Sequence, residues 1–117
     1  MVGGTSATDL ENILNAVDAW ESANNSPITV FLARIIGSPN VTTNTNVTTF
    51  NNNVAAMAQT RINNGDKIVI VNQQNGAGIS YSSDMADNLH PNQLGYNKMA
   101  VKWKNDILIA GVLPNCP

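Results

Sequence analysis

Two short runs, Ile28 to Ile36 (ITVFLARII) and Lys67 to Asn72 (KIVIVN), are apolar at almost every position and rich in β-branched residues. Neither alternates polar with apolar, so neither suits a strand with one wet face. Both read as strands covered on both sides, the pattern of a parallel sheet. Parallel neighbours need a crossover between them, and the segment between these runs is long enough to supply a helix.

Helical periodicity fills the remaining positions. Leu10, Ile13, Leu14, Val17 and Trp20 mark an amphipathic helix from about Asp9 to Ala23, stopped by Asn24-Asn25-Ser26-Pro27. Thr8-Asp9-Leu10-Glu11 has the form of a capping box, with Thr8 as N-cap and Glu11 reaching back. Phe50, Val54, Met57, Ala58 and Ile62 mark a second helix, closed by Asn63-Asn64-Gly65. Between strand and helix, the Asn- and Thr-rich segment from Gly37 to Thr49 reads as a polar loop, and Gln73 to Asp87 as an irregular one. A last helix, from Pro91 or Asn92 to Ala110, carries Leu94, Met99, Ala100, Trp103, Ile107 and Leu108. The order is helix-strand-helix-strand-helix with parallel strands, a three-layer α/β/α arrangement. Two strands leave edges and faces to be covered. The expectation is a half-domain, the second part of a doubly wound fold of about five strands, completed by a homodimer partner or by a missing N-terminal half.

Composition bounds the function. A chain of 117 residues makes one small domain, burying roughly two-thirds of its unfolded surface. Charged residues are only 12%, and nineteen Asn, nine Thr and seven Ser supply the polar surface instead. A net charge of −2 with no basic run argues against nucleic acid or an anionic membrane as partner. No apolar stretch reaches the ~18 residues of a membrane span, and no signal peptide opens the chain. Asn24-Asn25-Ser26, Asn40-Val41-Thr42 and Asn46-Val47-Thr48 satisfy the N-glycosylation pattern. Cys116 reads either as a free thiol near the end or as half of a disulfide with a cysteine elsewhere.

The chemistry concentrates in Asp87-Asn88-Leu89-His90-Pro91-Asn92. His90 is the only histidine, placed just before a helix with a carboxylate three residues earlier. In such a pair the imidazole takes a proton from an attacking hydroxyl and returns it to the leaving group. The Asp fixes its tautomer and stabilises the imidazolium. The bland alternative is a histidine packed on the helix with Asp87 as a solvated loop residue. Ser38 stands after the first strand, near the strand end where α/β sites form, and Ser80, Ser82 and Ser83 lie in the loop before Asp87. Ser38 and Ser83 are the substitute nucleophiles to consider, although each is first of all a loop hydroxyl. Asp84 with Asp87 would form a glycosidase-type pair only at ~5–9.5 Å separation. One His and one Cys far apart make no zinc site, and Gly76-Ala77-Gly78 lacks the context of a nucleotide loop. No cofactor or metal is expected. Trp20 and Trp103 fall on apolar helix faces and read as core, and Lys98, Lys102 and Lys104 as a solvated face.

The seventeen residues from Asp84 to Ala100 (DMADNLHPNQLGYNKMA) resemble the last conserved block of SGNH (GDSL-type) hydrolases. The similarity is closest to the acetylxylan esterase branch, carbohydrate esterase family three. There an Asp-x-x-His-Pro turn is followed by Asn-x-x-Gly-Tyr and a Met-Ala helix. The resemblance implies a flavodoxin-like domain in which Asp87 is the triad acid and His90 the general base. It implies an acetylated sugar as substrate and a secreted parent protein. The departures are equally specific. The family's Gly-Asp-Ser nucleophile block is absent, and so are the second-block Gly and third-block Asn that line its oxyanion hole. Met1-Val2-Gly3-Gly4-Thr5-Ser6 resembles a worn third block without that Asn. Three expectations follow: residues 1–117 as a truncated SGNH-like domain, esterase or relic of one; a non-catalytic module of the same descent; or a small glycoside hydrolase using Asp84 and Asp87.

Overall fold

The computed structural model describes residues 4–114. The Cys116 and Met1–Gly3 readings fall outside them. Six elements follow in order: α1 (Thr8–Asn24), β1 (Val30–Arg34), α2 (Val41–Asn63), β2 (Ile68–Asn72), a single turn α3 (Gln73–Gly76) and α4 (Gln93–Ala110). The two strands pair in parallel, Val30 opposite Ile68 through Arg34 opposite Asn72. This is a three-layer α/β arrangement with a two-stranded sheet between helices.

The strands are shorter than the apolar runs that predict them. Pairing extends only over five residues on each side, and the N–H of Val30 begins it by donating to the carbonyl of Lys67 at 2.9 Å. Strand alternation places Val30, Leu32, Ile68 and Ile70 on one face. There they meet Leu10 and Leu14 of α1 and Val54 and Ala58 of α2, the main core. Burying a Leu or Val of this kind is worth about 1.5–3 kcal/mol. Phe31, Ala33, Val69 and the fully buried Val71 point to the other face. The last helix, α4, packs on β2 and takes no part in the α1–α2 cluster.

Two readings are corrected at the helix starts. No capping box opens α1. Its N-cap is Ala7, and the orphan N–H of Thr8 is met by the Ser6 hydroxyl at 3.2 Å. The segment from Gly37 to Thr49 is not all loop, because α2 begins at Val41. Asn40 caps it by accepting from the N–H of Thr43 at 2.9 Å. Behind that cap, Thr45, Thr48 and Thr49 each donate a hydroxyl to the carbonyl four residues back. Threonine and asparagine have low helix propensity, so the local signal favours a loop and tertiary packing overrides it. Asn46, expected in a loop as a glycosylation acceptor, stands within a helix. Trp20 is also misplaced by the helical pattern: it is half exposed, at 50%.

Where β1 ends, a polar network replaces strand pairing. Asn51, fully buried on α2, accepts from the N–H of Ile35 at 2.9 Å and donates to its carbonyl at 2.8 Å. The same amide donates to Gln74 Oε1, whose own amide donates to the Thr48 hydroxyl. The next two residues, Asn52 and Asn53, are exposed. Asn51→Ala should therefore lower unfolding stability by about 2–4 kcal/mol, because it empties a fully buried position and leaves the buried Gln74 Oε1 and the half-buried N–H and C=O of Ile35 without their partner. Asn53→Ala should stay within about 0.5 kcal/mol. Urea unfolding measures both, and equal losses at the two positions would contradict this account.

Candidate functional site

The loop from Ser80 to Asn92 is held at its base by α4. Asn92 is the N-cap of α4, its side-chain oxygen accepting from Leu94 N–H at 3.0 Å and Gly95 N–H at 3.2 Å. Its amide donates to Ser83 O at 2.8 Å, and its backbone N–H donates to Asp84 O at 2.8 Å. Gly95 is buried against this base, and a β-carbon there would run into Asp84 O and Pro91. The Gly of the Asn-x-x-Gly-Tyr pattern is thus a requirement of close approach between helix and loop.

Asp84 is the loop's anchor. It is 3% exposed, and its carboxylate accepts from Lys98 Nζ at 2.6 Å, from Ser80 N–H at 2.7 Å and from the Ser83 hydroxyl at 3.4 Å. The Lys98 hydrogen bond, with that of Ser80, holds its pKa below the usual value. Two readings change here. Lys98 is not part of a solvated face but the partner of a buried acid, and Lys102 pairs with Asp106 at 2.9 Å. Asp84 is not a free second carboxylate beside Asp87, since its oxygens are occupied and turned inward.

Above the base the chain narrows to a tight turn. Met85 and Pro91 form an antiparallel bridge, and Ala86 N–H donates to His90 O at 2.8 Å. At the tip, one Asp87 oxygen accepts from the N–H groups of Leu89 and His90, both at 2.7 Å. The two carboxylate oxygens lie 3.0 and 2.8 Å from His90 Nδ1. An ionised carboxylate only accepts, so the proton of a neutral ring sits on Nδ1 and Nε2 is left as the acceptor. That is the tautomer a general base needs. The side chains are 57% and 66% exposed, so the dyad stands at the surface in contact with water.

The serine hydroxyls have partners other than the imidazole. Ser38 is 6% exposed; its hydroxyl donates to Asn88 O at 2.6 Å and accepts from Asn40 N–H at 3.0 Å. Ser80 and Ser82 bond each other, and Ser83 bonds Asp84. Among the described residues, none of these hydroxyls is hydrogen-bonded to His90. Ser38 therefore acts as a tie between the end of β1 and the dyad turn rather than as an activated nucleophile. Tyr81 completes the tie, accepting from Gly37 N–H at 2.8 Å and donating to Gln74 O at 3.0 Å. Neither the Tyr81 hydroxyl nor the Asp84–Lys98 pair carries a local sequence signal, because each joins residues from separate elements.

The bonds on Asp87 have a pH consequence. Hydrogen bonds from Leu89 N–H, the His90 ring and His90 N–H lower its pKa from 3.8 to about 2. A carboxylate depressed in the folded state contributes stability above pH ~4 that is lost as pH falls towards 2. The Asp87 carboxyl carbon should therefore titrate near pH 2 by NMR, well below ordinary aspartates. A midpoint near 4 would show that the turn is not closed on His90 in solution.

Comparison with family models, curated proteins and solved structures found no match to the chain, so the chemistry of the site rests on its own geometry.

Proposed function

We propose that the chain carries the acid/base half of an SGNH-type carbohydrate ester hydrolase, with acetylated sugars as the substrate class. The observation behind this reading is the paired contact of the Asp87 carboxylate with His90 Nδ1, which leaves Nε2 open to solvent. His90 takes a proton from an attacking hydroxyl as that oxygen adds to the acyl carbon. It returns the proton to the sugar oxygen as the ester C–O bond breaks, releasing acid and alcohol. Asp87 stabilises the imidazolium between the two steps. The described serines are engaged elsewhere, so the attacking hydroxyl is that of a water, whose oxygen leaves in the acid. A second reading, a non-catalytic module of the same descent, is favoured by that engagement of Ser38 and Ser83.

The same reading includes a second copy of the chain. In the parallel ladder that starts from Val30, the backbone groups of Phe31 and Ala33 point away from β2, and those of Ile68 and Ile70 away from β1. Leu94, Val101 and Leu108 are each more than half exposed at seven-residue spacing on α4. Open strand edges and apolar helix stripes are covered in most soluble proteins.

Two measurements test these statements. Purified chain should release acetate from acetylated xylo-oligosaccharides, and His90→Ala should cut that rate at least about 100-fold. Release without loss in the variant would remove His90 from the chemistry, and no release at all would favour the non-catalytic reading. Sedimentation at micromolar concentration should give a dimer; a 12.5 kDa monomer would show that the chain closes its own core.

A further inference from the structure

We infer that Ser38 is a positioning residue for His90, acting through the peptide group that joins Asn88 to Leu89. This deepens the ester-hydrolase reading, and its rate effect rests on that reading. The peptide is held at both ends. Its carbonyl accepts from the Ser38 hydroxyl at 2.6 Å, and its N–H donates to an Asp87 oxygen at 2.7 Å. The two groups lie on one rigid plane, so the bond that fixes the carbonyl also aims the N–H.

A continuous series of donors runs from the start of α2 to the imidazole. Asn40 N–H donates to the Ser38 oxygen at 3.0 Å, and Ser38 donates to Asn88 O. Leu89 N–H donates to Asp87, whose carboxylate lies 2.8 Å from His90 Nδ1. Each bond accepted polarises the donor that follows, by about 10–30%.

One end of the series is fixed and the other is not. Ser38 is buried, its own N–H donates to Asn44 Oδ1 at 3.1 Å, and Gly37 before it is held by Tyr81. Asp87, Asn88, Leu89 and His90 are all exposed. Among the described residues, every other hydrogen bond of residues 86–90 is made within that segment. Those bonds close the turn without fixing where it stands. The Ser38 hydroxyl supplies that orientation from 50 residues away in the chain. An imidazole that slips from the carboxylate loses the bond that keeps its proton on Nδ1. Nε2 is then protonated in part of the molecules and cannot act as a base there.

Nitrogen-15 NMR of the neutral His90 ring reads the tautomer without substrate. The native chain should show the Nδ1–H form. Ser38→Cys keeps the side chain's shape and replaces a strong donor by a weak one. It should move the tautomer ratio about five-fold toward Nε2–H, as the loss of one buried hydrogen bond implies, and shift the Leu89 amide proton upfield. Ser38→Ala, which removes the hydroxyl outright, should do the same. Leu14→Ala, a cavity in the α1–α2 core, costs at least as much stability and should leave both signals native. In acetate release, Ser38→Cys should lower kcat about five-fold with KM unchanged, the mark of an interaction felt only in the transition state. A native ring in the Nε2–H form, or native signals in both Ser38 variants, overturns the inference. So does an equal change in Leu14→Ala, since the effect would then be one of lost stability. A tautomer shift in a chain that releases no acetate leaves the positioning role standing and removes the hydrolase reading. Release that needs His90 while both signals ignore Ser38 does the reverse.

Discussion

A two-stranded sheet ends in unpaired peptide groups, and the fold depends on how one helix meets them. At Ile35 the chain has left the ladder and its side chain is partly in water, but its N–H and C=O are half-buried against α2 and take a protein partner. The Asn51 amide from α2 supplies both, acting in the place of a neighbouring strand. A side chain can do this only if its helix sits at a fixed height and rotation on the sheet. Val54 and Ala58, one and two turns further along α2, are fully buried in the core and set that position.

From there the constraint passes outward to the surface. Asn51 bonds Gln74 just beyond β2, the carbonyl of Gln74 receives the Tyr81 hydroxyl, and that hydroxyl holds Gly37. Gly37 is closed in by Asn44 and Tyr81, so no larger residue fits without displacing them. The next residue, Ser38, grips Asn88 at the tip of the dyad turn. On the opposite side Lys98 and Asn92 of the α4 end grip the base of the same loop. The loop is thus positioned from both strands and from the last helix, although most of its own residues are exposed.

Much of this order was legible in the residues, and the failures share a cause. The two apolar runs, their parallel pairing and the last helix follow from hydrophobic period and length, which local sequence carries. The Asp87–His90 contact follows from a three-residue spacing in a turn. What was not legible depends on partners distant in sequence. Asn51, Asn52 and Asn53 are identical in composition, and only the sheet decides which one is buried. Asp84 and Asp87 differ likewise: one faces Lys98 on α4 and the other faces solvent, so one is an anchor and the other a partner for the imidazole. The first half of α2 was hidden because its threonines satisfy their hydroxyls on the helix itself, which no propensity scale anticipates.

Exposure decides what the dyad can do alone. A carboxylate and imidazole in bulk water interact through a high dielectric, and each competes with solvent for its hydrogen bonds. The Asp87 turn resists that competition by geometry, since two backbone N–H groups hold the carboxylate before the ring arrives. Transition-state stabilisation is a different matter. It depends on donors aimed at a developing oxyanion in a water-excluded site, and the open face of His90 is wet. A second protein surface laid over the turn would lower the local dielectric at Nε2 without moving a single backbone atom of the dyad. The arrangement is that of a base fixed in place before its cover, and the covering surface, more than the dyad, then sets how much catalysis the pair can deliver.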